Sequence, residues 1–299
     1  FFFTPNPPTA LPLRLVGSEM CIRDSFSAYQ AGGGGGGAGG LLVSPGFPGV
    51  PTSQNQGTAM AVSVATYTIT VGAGGRRGFG NPSLGPSKGG GKGVDSVISG
   101  PDITTITAKG GGGGAGNPIV AQGGSGYGSG GGGEGAYAPG PVRAVGAGGN
   151  YPGPSQQGFP GGLGSDTSGP YANTSRRSAG GGGGAGGVGN HGGPQSPDAI
   201  EGIGGIGLQV LIAGNAPAAA IGTPGPSGTG WVAQGGHSGA YNNGSNGAIA
   251  QPAGGGGGYF WSLVTTSRIP ISGDGGGGAT GGRADYTARP EDVMPRFTV

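Results

Sequence analysis

The chain has 299 residues, of which 84 are Gly and 26 are Pro, so more than a third of its positions hold the two residues that break helices and strands. Only 50 are Leu, Ile, Val or Phe, too few for the hydrophobic core of an ordinary helical or α/β enzyme. Charged residues are 9% and the formal net charge is +2, which excludes both a field strong enough to gather nucleic acid or an anionic membrane and the self-repulsion that expands many disordered chains.

Residues 1 to 25, FFFTPNPPTALPLRLVGSEMCIRDS, begin without Met and lack an uninterrupted apolar stretch, so they do not read as a secretory signal and are expected to be an unstructured leader outside the fold. Within them VGSEMCIRDS, residues 16 to 25, resembles a translated sequencing adapter, which would make Met20 and Cys21 foreign to the protein. Cys21 is the only cysteine, so no intramolecular disulfide can form.

From residue 26 the text is glycine-rich to residue 282. Pure glycine runs occupy 32 to 37, 110 to 114, 130 to 133, 180 to 184, 254 to 258 and 275 to 278, and the starts at 32, 110, 180 and 254 are almost evenly spaced. Three of these runs continue into Ala-Gly: Ala38-Gly39, Ala115-Gly116 and Ala185-Gly186. This is a loose internal repeat. Collagen is excluded, because glycine is clustered and does not hold every third position. Between the runs, residues 66 to 71, TYTITV, alternate Tyr67, Ile69 and Val71 against threonines and predict a half-buried strand closed by the turn residues VGAGG. Residues 102 to 109, DITTITAK, and 208 to 213, LQVLIA, are weaker strand candidates. The aliphatic stretch at 203 to 213 is about half the roughly 20 residues of a spanning helix and contains three glycines, so no membrane insertion is expected. Residues 283 to 299 read as a truncated tail.

Two structures suit a run of five or six glycines. One is a flexible linker, the default for such text. The other is the extended helix of polyglycine II, with three residues per turn and a rise of roughly 3.1 Å per residue. It has no internal hydrogen bonds, so its N–H and C=O groups must find partners on neighbouring segments. Several runs pack together or none is stable. Recurrence at similar spacing, intervening segments long enough to return the chain, and scattered Ile, Val and aromatic residues favour the packed form. The fold class expected is therefore irregular and mainly β: packed polyglycine II-like segments, short strands, long turn-rich loops and essentially no α-helix.

The chemical motifs do not rise above this background. Matches to GxGxxG arise by composition and lack a βαβ context. Gly85 to Gly89, GPSKG, fits a nucleophile-elbow pattern with no helix after it and reads as a turn. Residues 89 to 93, GGGKG, lack the Ser or Thr that a phosphate loop needs after Lys92. His191 and His237 are far apart with no cluster of carboxylates or thiols and are expected on the surface. A single calcium-type nonapeptide around Asp166 has no tandem copy. Arg76-Arg77 and Arg176-Arg177 are too sparse for RNA-binding Arg-Gly segments. No catalytic residue, metal ligand, cofactor or enzymatic activity is expected. Sequons occur at Asn173 and Asn243. The aromatics Tyr151, Phe159, Tyr171, Trp231, Tyr241, Tyr259, Phe260 and Trp261 sit in loops or beside glycine runs. Such rings either seal the sides of a glycine bundle or supply rigid contact area for sugars and protein surfaces. Trp231, Tyr241, Tyr259, Phe260 and Trp261 are the candidate ligand-binding residues.

AGGGGGGAGGLL at 31 to 42, YTITVGAGG at 67 to 75, ITTITAKGGGGGAG at 103 to 116, AGGGGGAGGVGN at 179 to 190 and GIGGIGLQVLIAG at 202 to 214 together resemble the glycine-rich domains of phage tail-fibre and adhesin-like proteins. The resemblance implies a rigid sandwich of polyglycine helices with variable loops that bind a host surface. It implies a non-enzymatic adhesive or fibre component, extracellular or on a virion, with a cell-surface glycan or protein and a fibre or homo-oligomer as the expected partners. A purely structural extracellular glycine-rich protein of wall, filament or silk type is the alternative, and an ice-binding protein of polyglycine type a third.

Overall fold

The computed structural model describes residues 14–16, 33–45, 55, 57, 61–75, 79–81, 85–116, 126–135, 146, 148, 156–164, 177–192, 202–209, 223–225, 228–238, 240 and 241. Among them there is no helix, only short antiparallel strands and extended glycine-rich segments. Nine of these segments are tied side by side through backbone hydrogen bonds: rod 1 (33–40), rod 2 (89–94), rod 3 (109–116), rod 4 (128–135), rod 5 (157–164), rod 6 (179–185), rod 7 (186–192), rod 8 (202–207) and rod 9 (232–238). The runs at 254–258 and 275–278 lie outside the described residues.

Rod 6 shows how the rods cohere. The N–H groups of Gly180, Gly181 and Gly182 donate to Gly133 of rod 4, Asn190 of rod 7 and Gly236 of rod 9, at 2.8, 2.9 and 2.9 Å. The next three residues repeat the cycle: Gly183 to Gly130, Gly184 to Gly187 and Ala185 to Ala233. Its carbonyls accept in the same rhythm, from Gly35 of rod 1, Gly162 of rod 5, Gly205 of rod 8, then Ala38 of rod 1 and Phe159 of rod 5. Each residue thus turns its peptide group by about a third of a revolution, which is the threefold geometry of polyglycine II. Successive bonds radiate to six neighbours, whereas a β-strand reaches only two.

Those six neighbours are bonded to one another in a closed ring. Gly132 of rod 4 donates to Gly35 of rod 1, Gly130 of rod 4 to Phe159 of rod 5, and Gly189 of rod 7 to Pro160 of rod 5. Asn190 of rod 7 donates to Ile203 of rod 8, Gly235 of rod 9 to Gly205 of rod 8, and Gly236 of rod 9 to Gly36 of rod 1. The result is a hexagonal cell with rod 6 at its axis. Rod 3 is added outside rods 1 and 4, through Gly37 to Gly112 and Gly112 to Ser129, and rod 2 outside rod 3, through Gly93 to Gly111. The registers fix direction. Gly35 and Ala38 meet Gly180 and Gly183 in parallel, while Gly34, Gly37 and Gly40 meet Ala115, Gly112 and Lys109 in reverse. Rods 1, 2, 6 and 8 therefore run one way and rods 3, 4, 5, 7 and 9 the other.

Only glycine allows this spacing. A Cβ built on Gly180, Gly181, Gly182, Gly183 or Gly184 would lie closer than 3.0 Å to backbone atoms of a neighbouring rod. No left-handed φ is involved at any of these five positions. Absent volume, and not conformational licence, is what the run supplies. Where the rods end, a Cβ fits again. Ala38 lies two residues from the end of rod 1, Ala185 closes the parallel rod 6 and Ala233 is the second residue of the antiparallel rod 9, so all three sit near the same end of the bundle. There they form a small apolar cluster with Leu41, Val43, Leu208 and Val232. Ala115, on the reversed rod 3, is buried opposite Gly34, at the other end.

At the apolar end the rods pass into sheet. Rod 2 continues into the strand Ser96–Gly100, which turns through Pro101 and Asp102 into Ile103–Ala108 and so into rod 3. Thr68–Thr70 pairs antiparallel with Ser96–Gly100, with Ile69 opposite Ile98 and Ile98 opposite Ile106. The strand expected over 102 to 109 is present, and that expected over 66 to 71 is present as Thr68–Thr70. The latter is exposed at all three residues instead of half-buried, because it is the outer strand of the sheet and the apolar layer under Ile98 ends before it. Of 208 to 213, Leu208–Gln209 is a strand and the rest lies outside the described residues. The GPSKG segment is not a turn: Gly85–Lys88 pairs with Phe79–Asn81, and GGGKG after it begins rod 2. Within the leader, Arg14–Val16 pairs antiparallel with Leu41–Val43, so that part joins the sheet region. Residues 283–299 lie outside the described residues.

Candidate functional site

An interior made of backbone leaves side-chain chemistry to the ends and flanks of the bundle, where three polar groupings occur. The first closes the start of rod 3. Asp95 Oδ1 accepts from Lys92 Nζ at 3.0 Å and from the Gly110 N–H at 2.9 Å, and Oδ2 accepts from Lys109 Nζ at 2.9 Å. Partial burial pushes the Asp95 carboxyl up, but the Gly110 N–H and the two ammonium groups outweigh it and hold the group below its ordinary value. Lys92 also lies over the Tyr127 ring, 5.2 Å from its centroid. Gln157 completes the closure, its Oε1 accepting from the Lys109 N–H and its Nε2 donating to Thr107 O.

The second grouping is at the tip of the sheet. The Tyr67 hydroxyl lies 2.8 and 2.9 Å from the Asp102 carboxylate oxygens, and the Ser63 N–H donates to Asp102 Oδ2 at 3.0 Å. Hydrogen bonding from Ser63 first, and then from Tyr67, lowers the Asp102 pKa. The third is at the opposite end of the bundle. Ser238 Oγ accepts from the Gly202 N–H at 2.7 Å while the Ser238 N–H donates to Gly202 O at 2.9 Å. His237 Nδ1 faces the Gly204 N–H at 3.3 Å. His237 is therefore not a surface residue: it is 6% exposed, and burial lowers its pKa because imidazolium would be desolvated there. His191 is exposed, its Nδ1 accepting from the Leu163 N–H at 2.8 Å.

Each grouping satisfies backbone donors at a place where the rod lattice stops. Among the described residues no set of three or more His, Cys, Asp or Glu is placed to hold a metal ion, and no helix is long and apolar enough to cross a membrane.

Of the candidate ligand-binding residues, Trp231 is half-buried in the strand Gly228–Val232, opposite Gln209 and Thr223. Tyr241 pairs with Arg177 in a separate two-stranded sheet. The two flank rod 9 at opposite ends, and its seven residues span roughly 20 Å at the polyglycine II rise, so the fold does not bring them to one tip. Tyr259, Phe260 and Trp261 lie outside the described residues, as do Tyr151, Tyr171, Asp166, the sequons and the Arg76-Arg77 pair. Phe159 is not in a loop: its backbone is part of rod 5, bonded to rods 4 and 6. Sequence reasoning missed the strand Ser96–Gly100 and the Asp95 closure, for which the signal was VDSVISGPD, an alternating run ending in a Gly-Pro-Asp turn.

Comparison with known proteins adds no relative: no protein family, no curated protein and no solved structure matches the chain.

Proposed function

We propose that the protein is a non-enzymatic structural and adhesive surface protein, a fibre or receptor-binding component of an extracellular or virion-like assembly. Its glycine bundle is the scaffold, and the loops and strands at its ends meet a cell-surface glycan or protein. The observation that supports this reading is the closed hexagonal cell around rod 6. Backbone bonded in six directions, with few side chains between rods, gives stiffness with only a small side-chain core, and leaves polar side chains to the ends and flanks of the bundle.

The test is binding of the intact chain to a glycan array and to whole cells, with Trp231→Ala, Tyr241→Ala and a triple alanine variant at 259 to 261. Retained fold with loss of binding in at least one variant is expected. No binding by the parent chain, or equal binding by all three variants, would remove the adhesive role. Because Trp231 and Tyr241 flank opposite ends of rod 9, their variants are expected to act independently rather than as one site.

A further inference from the structure

We infer that the exposed strand Thr68–Thr70 is where two copies of this chain join, edge to edge and antiparallel, about a twofold axis through Ile69. One side of this strand is paired with Ser96–Gly100, and among the described strands nothing pairs with the other. The open edge extends past the strand, since the Gly72 N–H bonds to Ser96 Oγ and the Val94 N–H to Ala73 O, which holds residues 68 to 73 alongside the sheet.

Three observations identify the occupant as a second copy. First, the apolar ladder runs past the end of the fold. Ile106 is half-buried and Ile98 is 4% exposed, yet Ile69 in the same row is 62% exposed, and Val71, two residues along on the same side, is 74% exposed. A strand added beside Ile69 continues that layer. Second, the edge segment itself is uncharged: residues 61 to 75, AVSVATYTITVGAGG, contain no charged residue and no proline, and the Asp102 carboxylate reaches only its start, at Ser63 and Tyr67. The other outer strand, Ile103–Ala108, is bracketed by Asp102 and Lys109. Third, the segment matches itself. Antiparallel pairing about Ile69 sets Ile69 against its own copy, Thr68 against Thr70 and Tyr67 against Val71, which are threonine and aromatic or β-branched pairs of the kind that stabilise sheets. A twofold interface requires such self-complementarity. Uncharged partners bring no repulsion.

The test uses the full chain. Sedimentation over a range of concentrations is expected to give a species of twice the monomer mass. Ile69→Lys, a change at an exposed position that places like charges opposite one another across the axis, is expected to abolish it with the circular dichroism spectrum unchanged. Thr104→Lys, on the other outer strand, is expected to leave it intact. In a Cys21→Ser background, Ile69→Cys is expected to oxidise to a disulfide-linked dimer, since directly opposed residues lie within disulfide reach. Val188→Cys, at another exposed position, on rod 7, is expected not to. A chain that is monomeric at every concentration, a dimer that survives Ile69→Lys, or equal crosslinking at residues 69 and 188 would overturn the inference.

Discussion

Replacing Gly182 by alanine distinguishes a packed glycine bundle from a flexible glycine linker by the size of the effect. Gly182 is in the axial rod, where an added Cβ meets Gly36 O and lies 2.9 Å from Gly37 N, both backbone atoms of rod 1 that no side-chain rotation can move. Rod 1 must retreat from rod 6, stretching the bonds from Gly35 to Gly180, at 3.0 Å, and from Ala38 to Gly183, at 2.9 Å. Overpacking costs about 1–3 kcal/mol and each weakened backbone bond about 1 kcal/mol, so a loss on the order of 3–5 kcal/mol is expected. For a chain of this size that lowers the melting temperature by roughly 5–8 °C. In a flexible linker the residue is free in the folded state as well as the unfolded one, so the same change would be close to neutral. Gly126→Ala is the internal control, since nothing lies within 4 Å of its Cβ position, and it is expected to be neutral or slightly stabilising. Thermal unfolding by calorimetry reads both. Equal melting temperatures for the two variants, or a rise for Gly182→Ala, would refute the reasoning.

Other outcomes follow from the ends of the bundle. Burial depresses the His237 pKa below its unfolded value, so its contribution to stability is complete above about pH 6.5 and is lost as pH falls through the folded value. The urea midpoint of the parent is expected to drop over that window, and His237→Gln is expected to flatten the slope. Asp95 is also depressed, so its contribution is present above about pH 3.9 and lost on further acidification; Asp95→Asn is expected to destabilise at neutral pH and to narrow the gap from the parent in acid. Asn55, fully buried and left-handed at φ 58°, donates through Nδ2 to Leu41 O at 3.1 Å and Gln157 O at 3.3 Å. Asn55→Ala removes both bonds and the residue type that tolerates this conformation, and a loss of about 2–3 kcal/mol is expected in denaturant titration.

The parts of this fold legible in the sequence are those that side chains encode. Alternation in TYTITV and ITTITA marks strands, and the repeated Ala-Gly marks where rods 1 and 6 leave the lattice together. Rod 8 carries a further signal, since Ile203 and Ile206 are three residues apart in GIGGIG while Gly202, Gly205 and Gly207 are buried, the spacing of a threefold rod with one face outward. Rods 5 and 9 are harder to see because Phe159, Pro160, Gln234 and His237 interrupt them. Which rod lies beside which is not encoded locally at all: a glycine offers the same N–H and C=O to any partner in any register, so order and direction are set by the connecting segments and by what can fit at the ends. The position of His237 illustrates this, since its burial depends on rods 8 and 9 being neighbours. For the same reason the exposure of Thr68–Thr70 depends on its place at the sheet edge and not on its own pattern.

The central claim is that consecutive peptide groups of rod 6 bond to three different rods in rotation. Scalar couplings across hydrogen bonds, between labelled amide nitrogens and carbonyl carbons, report each pair directly. The account predicts that the nitrogens of residues 180 to 185 couple in turn to the carbonyls of Gly133, Asn190, Gly236, Gly130, Gly187 and Ala233. Couplings confined to one or two neighbouring segments would mean an ordinary sheet, and amides exchanging at the rate of a free chain with no couplings would mean no bundle at all.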